Sequence, residues 1–167
     1  RAVALARGGR AAAVVTNPIN KAVLNAAGFP HPGHTEFLAT LSETRPGAPT
    51  MMLASDELRV VPVTVHMALN DVPKALNSDE IFSKGVLLAE SLRRDFGYAD
   101  PRIAVCGLNP HAGEDGQFGD EDHLIVAPAV EQLRSAGIAA FGPLSADTLF
   151  HAKARKSYDG VLGMYHD

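Results

Sequence analysis

The sequence has no tryptophan, and aromatic residues make up only 6% of it. That leaves too few flat side chains for a platform that stacks single-stranded nucleic acid. It has no excess of positive charge: 15 Lys and Arg stand against 19 Asp and Glu, a net charge of −4. A surface built to coat phosphates is thereby excluded, although a local cationic pocket is not. Cys106 is the single cysteine. No disulfide framework can form within one chain, which suits a reducing, cytoplasmic setting, and its apolar surroundings make it a small core residue. No apolar run approaches the ~18 residues of a membrane span, and the opening RAVALARGGR has no long apolar segment behind it to act as a signal peptide. Neither nucleic acid nor membrane is expected as a partner.

The remaining composition, 46% hydrophobic and 20% charged over 167 residues, is that of a globular protein with one real core or two small lobes. No internal repeat, low-complexity segment or clear linker marks a boundary inside 1–167. Residue 1 is Arg, and the final GVLGMYHD reads as a strand that has just delivered two polar groups, so further chain is expected at both ends.

Strand-like and helical patterns alternate. Strands are expected at 11–16, 51–55, 60–66, 102–107, 138–141 and 160–164. SDEL at 55–58 is the turn of a possible hairpin, and Pro62 weakens its second strand or places it at an edge. Helices are expected at about 18–27 (closed by Gly28), 34–42, 71–76, 79–96 (capped by Ser78 or Asp79), 121–136 (closed by Gly137) and 146–156, with loops at 45–49 and 108–120. The alternation implies an α/β layered fold.

Three histidines close apolar strand-like runs: His66 after VVPVTV, His111 after IAVCGLNP and His166 after GVLGMY. Ligands of open α/β sheets bind beyond the carboxyl ends of strands. Three neutral imidazoles converging there describe a metal site with open positions, a catalytic rather than a structural arrangement. Each could equally be a satisfied core or surface histidine. Carboxylates follow each one: Asp71, Glu114 with Asp115, and Asp167. They are either partners for the second ring nitrogen or ordinary solvated acids. His34 and Thr35 open a helix, where free N–H groups favour a phosphate or carboxylate; alternatively Thr35 is only a cap. Lys21 is a phosphate ligand or an exposed helix lysine. Glycines 113, 116 and 119 match neither dinucleotide nor phosphate-loop spacing.

VVTNPINKAVLNAAG, GHTEFLA, MMLASDELRVVPVTVHMAL, CGLNPHAGEDG, GPLSADTLF and GVLGMYHD stand in the order and spacing of the 4-hydroxythreonine-4-phosphate dehydrogenases, and the chain resembles that family over nearly all of its length. The resemblance implies a two-lobed α/β/α dehydrogenase of the isocitrate and isopropylmalate dehydrogenase architecture, of which residues 1–167 form the central part. It implies NAD-dependent oxidation of 4-phosphooxy-L-threonine and decarboxylation to 3-amino-2-oxopropyl phosphate, on the route to pyridoxal 5′-phosphate. NADP is an alternative cofactor. The resemblance further implies a divalent metal on His66, His111 and His166, substrate contacts from His34 and Thr35, and a homodimer with shared sites. Three imidazoles suit Zn or Co better than Mg, though the family accepts several ions.

Asp147 and Asp167 are candidates for orienting ligands or relaying protons. Related dehydrogenases share the frame and act on phosphorylated sugar acids or aromatic cis-dihydrodiols. TNPINK is looser than the vitamin B6 pattern, which keeps those substrates open. A non-catalytic binding module is the reading from another class. A chain of these residues alone is expected to bind metal without turning over.

Overall fold

The computed structural model describes residues 1–31, 33–42 and 49–166. Its contacts divide the chain into two compact units, Arg1–Pro49 and Thr50–Asp167.

The first unit carries three short helices, α1 (Ala2–Arg7), α2 (Lys21–Ala26) and α3 (His34–Ser42). Asn20 starts α2 by accepting the Val23 N–H at 3.1 Å. Gly28, at φ 78°, ends it: Gly28 and Phe29 donate to the carbonyls of Asn25 and Leu24, so the glycine turn expected from sequence is present, with the helix starting three residues later than expected. The strand expected at 11–16 is not formed. A strand exists through its ladder, this segment finds no partner among the described residues, and Val15 remains 93% exposed. Phe29, His31 and Phe37 pack ring against ring, with centroids 5.1–5.3 Å apart. The expected loop at 45–49 falls mostly outside the described residues.

The second unit is an α/β sheet layer. Its strands are β1 (Leu53–Ala54), β2 (Arg59–Pro62), β3 (Arg102–Cys106), β4 (Ala139–Leu144) and β5 (Gly160–Gly163), in the order β1-β2-β5-β3-β4. β2, β5, β3 and β4 run parallel, and β1 joins β2 as the expected antiparallel hairpin. Pro62 is tolerated inside the sheet. The Val63 N–H points at Gly163 O (2.7 Å), so the nitrogen of Pro62 faces the other side, where β1 pairing has already stopped at Val60.

The central strands β3 and β5 are covered on both faces, which is why they read as continuous apolar runs. Ile103 and Val105 of β3 join Val61, Leu162 and Met164 against Ile81, Leu88 and Leu92 of α5 (Ser78–Phe96) and Val130 and Leu133 of α6 (Ala127–Ser135). Ala104, Cys106 and Val161 face the other way, against Leu149 and Tyr158.

Three expected boundaries shift for identifiable reasons. α5 is capped by Asn77, whose side chain accepts the Glu80 N–H at 2.9 Å; the Ser78 hydroxyl donates instead to Ile125 O. The 121–136 helix begins as a wide π turn over Asp122–Val126, in which the Ala127 N–H reaches Asp122 O five residues back. Pro128 has no N–H to give Leu124 O in ordinary helical register. The 146–156 helix breaks into α7 (Ala146–Leu149) and a 3₁₀ turn at Ala154–Ser157, because the carbonyl of Leu149 is taken by the Tyr158 hydroxyl at 2.8 Å. A short α4 (Val72–Ala75) precedes α5. No helix among the described residues is long and apolar enough to cross a membrane.

Candidate metal and substrate site

Parallel strands deliver their carboxyl ends to one edge, and here four of them do so. β2 leads to His66, β5 to His166, β3 to His111, and β4 to Ser145 and Asp147. The three histidine-bearing strands are adjacent, with β5 in the middle.

Each exit is held by a polar side chain. Beyond β2, Thr64 donates both its N–H (3.2 Å) and its hydroxyl (2.8 Å) to Met164 O, extending the β2–β5 ladder toward His66 and His166. The Lys84 ammonium, mostly buried, reaches Val63 O at 2.7 Å from α5. Beyond β3, the last ladder bond runs from Gly107 N–H to Leu144 O (2.8 Å), and the next two N–H groups, of Leu108 and Asn109, go to the buried carboxylate of Asp122.

His66 and His111 both sit at positive φ, 55° and 53°. For a residue with a Cβ this is a costly conformation that persists only where the surroundings impose it, and it concentrates at functional positions. After His111 the backbone stays left-handed through Ala112, Gly113, Glu114, Asp115 and Gly116. The glycines at 113 and 116, singled out from sequence, thus serve a tight left-handed turn. That turn is not a strand–loop–helix cradle, and it does not fit a dinucleotide phosphate in that manner.

A cavity of about 420 Å³ opens at this edge, lined by His111, His166, Ser145, Asp147 and Cys106 among others. A smaller recess of about 60 Å³ beside it is lined by His66, His166, Thr64 and Tyr165. His166 therefore belongs to both, and the three rings line two adjoining spaces rather than one. Among the described residues no three His, Cys, Asp or Glu side chains are gathered to hold an ion together. The fit to a divalent metal lies in the donor chemistry and in the three neighbouring strand ends, two of them left-handed at the histidine itself.

Ser145 stands before α7 and gives its hydroxyl to Asp147 Oδ1 at 2.5 Å, fixing the exposed Asp147 carboxylate at the cavity. Burial pushes the Cys106 thiol up to about 12, so it lines the cavity as an inert wall, as its apolar context suggested. The Asn109 amide donates to Glu121 at 2.8 Å and, with Glu121's own N–H, holds that carboxyl below the usual range. Of the acids near the histidines, Asp71 pairs with Lys74 at 3.4 Å. Glu114 and Asp115 are exposed, and Asp167 lies outside the described residues.

His34 and Thr35 belong to the first unit, as the first two residues of α3. Thr35 is inside the helix, so it is not its cap. Lys21 and Glu36 both flank Gly33, within 3.8 Å of where a Cβ would stand there, which puts one charge of each sign beside the start of α3. Asp122 and Lys84 stand in no motif, and Ser145 stands in GPLSADTLF without having been singled out. GDED ahead of an apolar helical pattern reads as ordinary capping chemistry, and only the fold reveals that Asp122 turns back to the β3 exit.

The whole chain, residues 1–167, matches the family model described as pyridoxal phosphate biosynthetic protein PdxA. The chain belongs to the PdxA family. Among curated relatives, the 4-hydroxythreonine-4-phosphate dehydrogenase of Bradyrhizobium diazoefficiens is 57% identical over 169 residues, and that of Xanthobacter autotrophicus 54% over 170. The alignments take in 100% and 99% of this chain but 49% and 48% of those proteins, so the chain spans about half the length of the curated relatives it matches. Among solved structures, the 4-hydroxythreonine-4-phosphate dehydrogenase of Klebsiella pneumoniae superposes with a TM-score of 0.90 at 45% identity, over 99% of this chain and 49% of that one. A terephthalate 1,2-cis-dihydrodiol dehydrogenase from Burkholderia xenovorans superposes with a TM-score of 0.73 at 30% identity, over 99% and 52%. The expected α/β fold and the PdxA resemblance both stand on these matches.

Proposed function

We propose that this chain provides the metal-binding half-site and part of the substrate site of a 4-hydroxythreonine-4-phosphate dehydrogenase in pyridoxal 5′-phosphate synthesis. The enzyme would oxidise 4-phosphooxy-L-threonine with NAD, or NADP, and release CO₂ and 3-amino-2-oxopropyl phosphate. The observation that carries this reading is the delivery of His66, His166 and His111 by three adjacent parallel strand ends in a chain 54–57% identical to curated dehydrogenases of that name.

His66, His111 and His166 would hold the divalent ion, with Zn or Co favoured over Mg by imidazole donors. Such an ion supplies Lewis acidity to the substrate hydroxyl and to the ketone made from it. Asp147, which lines the cavity and accepts from Ser145, would orient ligands or relay the hydroxyl proton as the carbinol carbon gives its hydride to the nicotinamide, and Asp167 is the second candidate. The β-keto acid then loses CO₂, its electron pair passing to the ketone oxygen, and the resulting enolate takes a proton at carbon to give the ketone product. His34 and Thr35, at the start of α3, are assigned to the substrate's anionic groups. A homodimer with shared sites and a cytoplasmic location complete the proposal.

A second reading keeps the frame and changes the substrate to an aromatic cis-dihydrodiol or a phosphorylated sugar acid. It draws on the likeness to the dihydrodiol dehydrogenase. NAD reduction by the complete protein with 4-phosphooxy-L-threonine, a phosphorylated sugar acid and a cis-dihydrodiol side by side separates the two. Chelator-sensitive turnover of the first substrate alone is expected. Turnover of only another moves the enzyme to the second reading, and no turnover of any, with no bound metal, ends both.

A further inference from the structure

Asp122 is buried, 2% exposed, and no cationic side chain forms an ion pair with it among the described residues. A carboxylate in that position is costly unless its oxygens are hydrogen-bonded. Here each oxygen takes one backbone donor. Oδ1 accepts the Leu108 N–H at 2.6 Å, and Oδ2 accepts the Asn109 N–H at 2.9 Å. These are the two N–H groups between the last β3 ladder bond, at Gly107, and the left-handed turn that begins at His111. An apolar side chain at 122 would leave both unsatisfied.

The approach is close enough to need Gly107. A Cβ there would stand 3.0 Å from Asp122 Oδ1 and 2.9 Å from the Ala112 Cα. Asp122 is also the first residue of the π turn, which carries the carboxylate back under the loop. Its neighbour Glu121 grips the Asn109 side chain at 2.8 Å.

We infer that Asp122 is a positioning residue for His111. It clamps the β3 exit so that the left-handed turn presents the imidazole to the cavity shared with His166. The inference rests on the metal reading above.

The test is Co²⁺ binding to the complete protein, read by calorimetry and by the visible ligand-field bands, in wild type, His111→Ala, Asp122→Asn, Gly107→Ala and Leu133→Ala. Asn keeps the size of Asp but aims an NH₂ at one of the two N–H donors. Asp122→Asn is expected to weaken Co²⁺ about ten- to a hundredfold, the usual range for a group that orients a ligand, and to shift the bands. Gly107→Ala, which disturbs the clamp from the loop side, is expected to do the same and carries the test if Asp122→Asn does not fold. Leu133→Ala, a core change remote from the loop, should lose stability and keep wild-type affinity.

Affinity within twofold of wild type in Asp122→Asn, or in Gly107→Ala, overturns the inference. So does equal weakening in Leu133→Ala, which would make the effect one of stability alone. Wild-type protein that ignores Co²⁺, or His111→Ala that binds it normally, instead removes the metal reading and the inference with it.

Discussion

Thr64 and Met164, one hundred residues apart, are joined by two hydrogen bonds to a single carbonyl: the Thr64 hydroxyl at 2.8 Å and its N–H at 3.2 Å both reach Met164 O. Both residues are buried, and each stands two positions before a histidine of the proposed set. Thr64→Val keeps the shape and removes only the hydroxyl. It is expected to cost about 1 kcal/mol in urea unfolding at unchanged m-value, the usual worth of one buried bond. Thr64→Ala should cost more, because it also empties the space of a methyl group. Stability of Thr64→Val equal to wild type would show that the backbone bond alone holds the two exits together.

At the opposite end of the strands, Arg102 and Asp159 tie β3 to β5. Asp159 accepts from the Arg102 N–H (2.8 Å) and from its guanidinium (3.1 and 3.0 Å). Burial alone would raise this carboxyl. The Arg102 donors and the charges of Arg102 and Arg59 outweigh burial and hold it below its ordinary value. A carboxylate depressed in the folded state stabilises the protein above its unfolded pKa, about 3.9, and that contribution disappears as pH falls through the folded value. Asp159→Asn should therefore cost on the order of 1–2 kcal/mol at pH 7, with Arg102 half exposed limiting the figure. The cost should shrink as pH falls through that lowered folded value. Denaturant titrations carried from pH 7 downward check this; a cost that does not change with pH would mean that the charge is irrelevant.

Cys106 offers a probe of the cavity wall. With its thiol pushed up to about 12 by burial, the thiolate that reacts with disulfide reagents is scarce at pH 8. Native protein is expected to release almost no thionitrobenzoate from Ellman's reagent over minutes, and one equivalent per chain once unfolded in guanidinium. Fast reaction in the native state would mean that the β3–α7 face opens readily to solvent.

How far the sequence could be read depended on whether a feature is local. The apolar runs at β2, β3 and β5 and the one-faced pattern of α5 announce themselves, because periodicity and burial are set within a few residues. α3 falls at 34–42 as expected. AAAVVT misled because an apolar run only becomes a strand when a neighbour offers a ladder. Ala146–Lys156 misled because a phenol nine residues from Leu149 takes its carbonyl. The three histidines were legible as strand-end residues from their shared context, whereas Asp122, Ser145 and Lys84 were not. Their roles lie in contacts across 13 to 21 residues or in a two-residue hydrogen bond that no composition signals. The left-handed run from His111 was legible only at its glycines, since residues with a Cβ rarely adopt it.

The arrangement of the three rings around two recesses makes the ligand set itself testable. If all three histidines bind the ion, then His66→Ala, His111→Ala and His166→Ala in the complete protein should each strip most of the metal from purified enzyme and lower turnover by at least about a hundredfold, since each removes a direct ligand. His123→Ala removes an exposed imidazole that lines a separate cleft with Asp115 and Asp122, and should keep both metal and activity. Metal content by mass spectrometry and NAD reduction are the two readouts. Normal metal in His66→Ala, with loss in the other two, would reduce the protein ligands to the pair that shares the larger cavity. The left-handed backbone at His66 would then need a different cause, because its strain would no longer be offset by holding an ion.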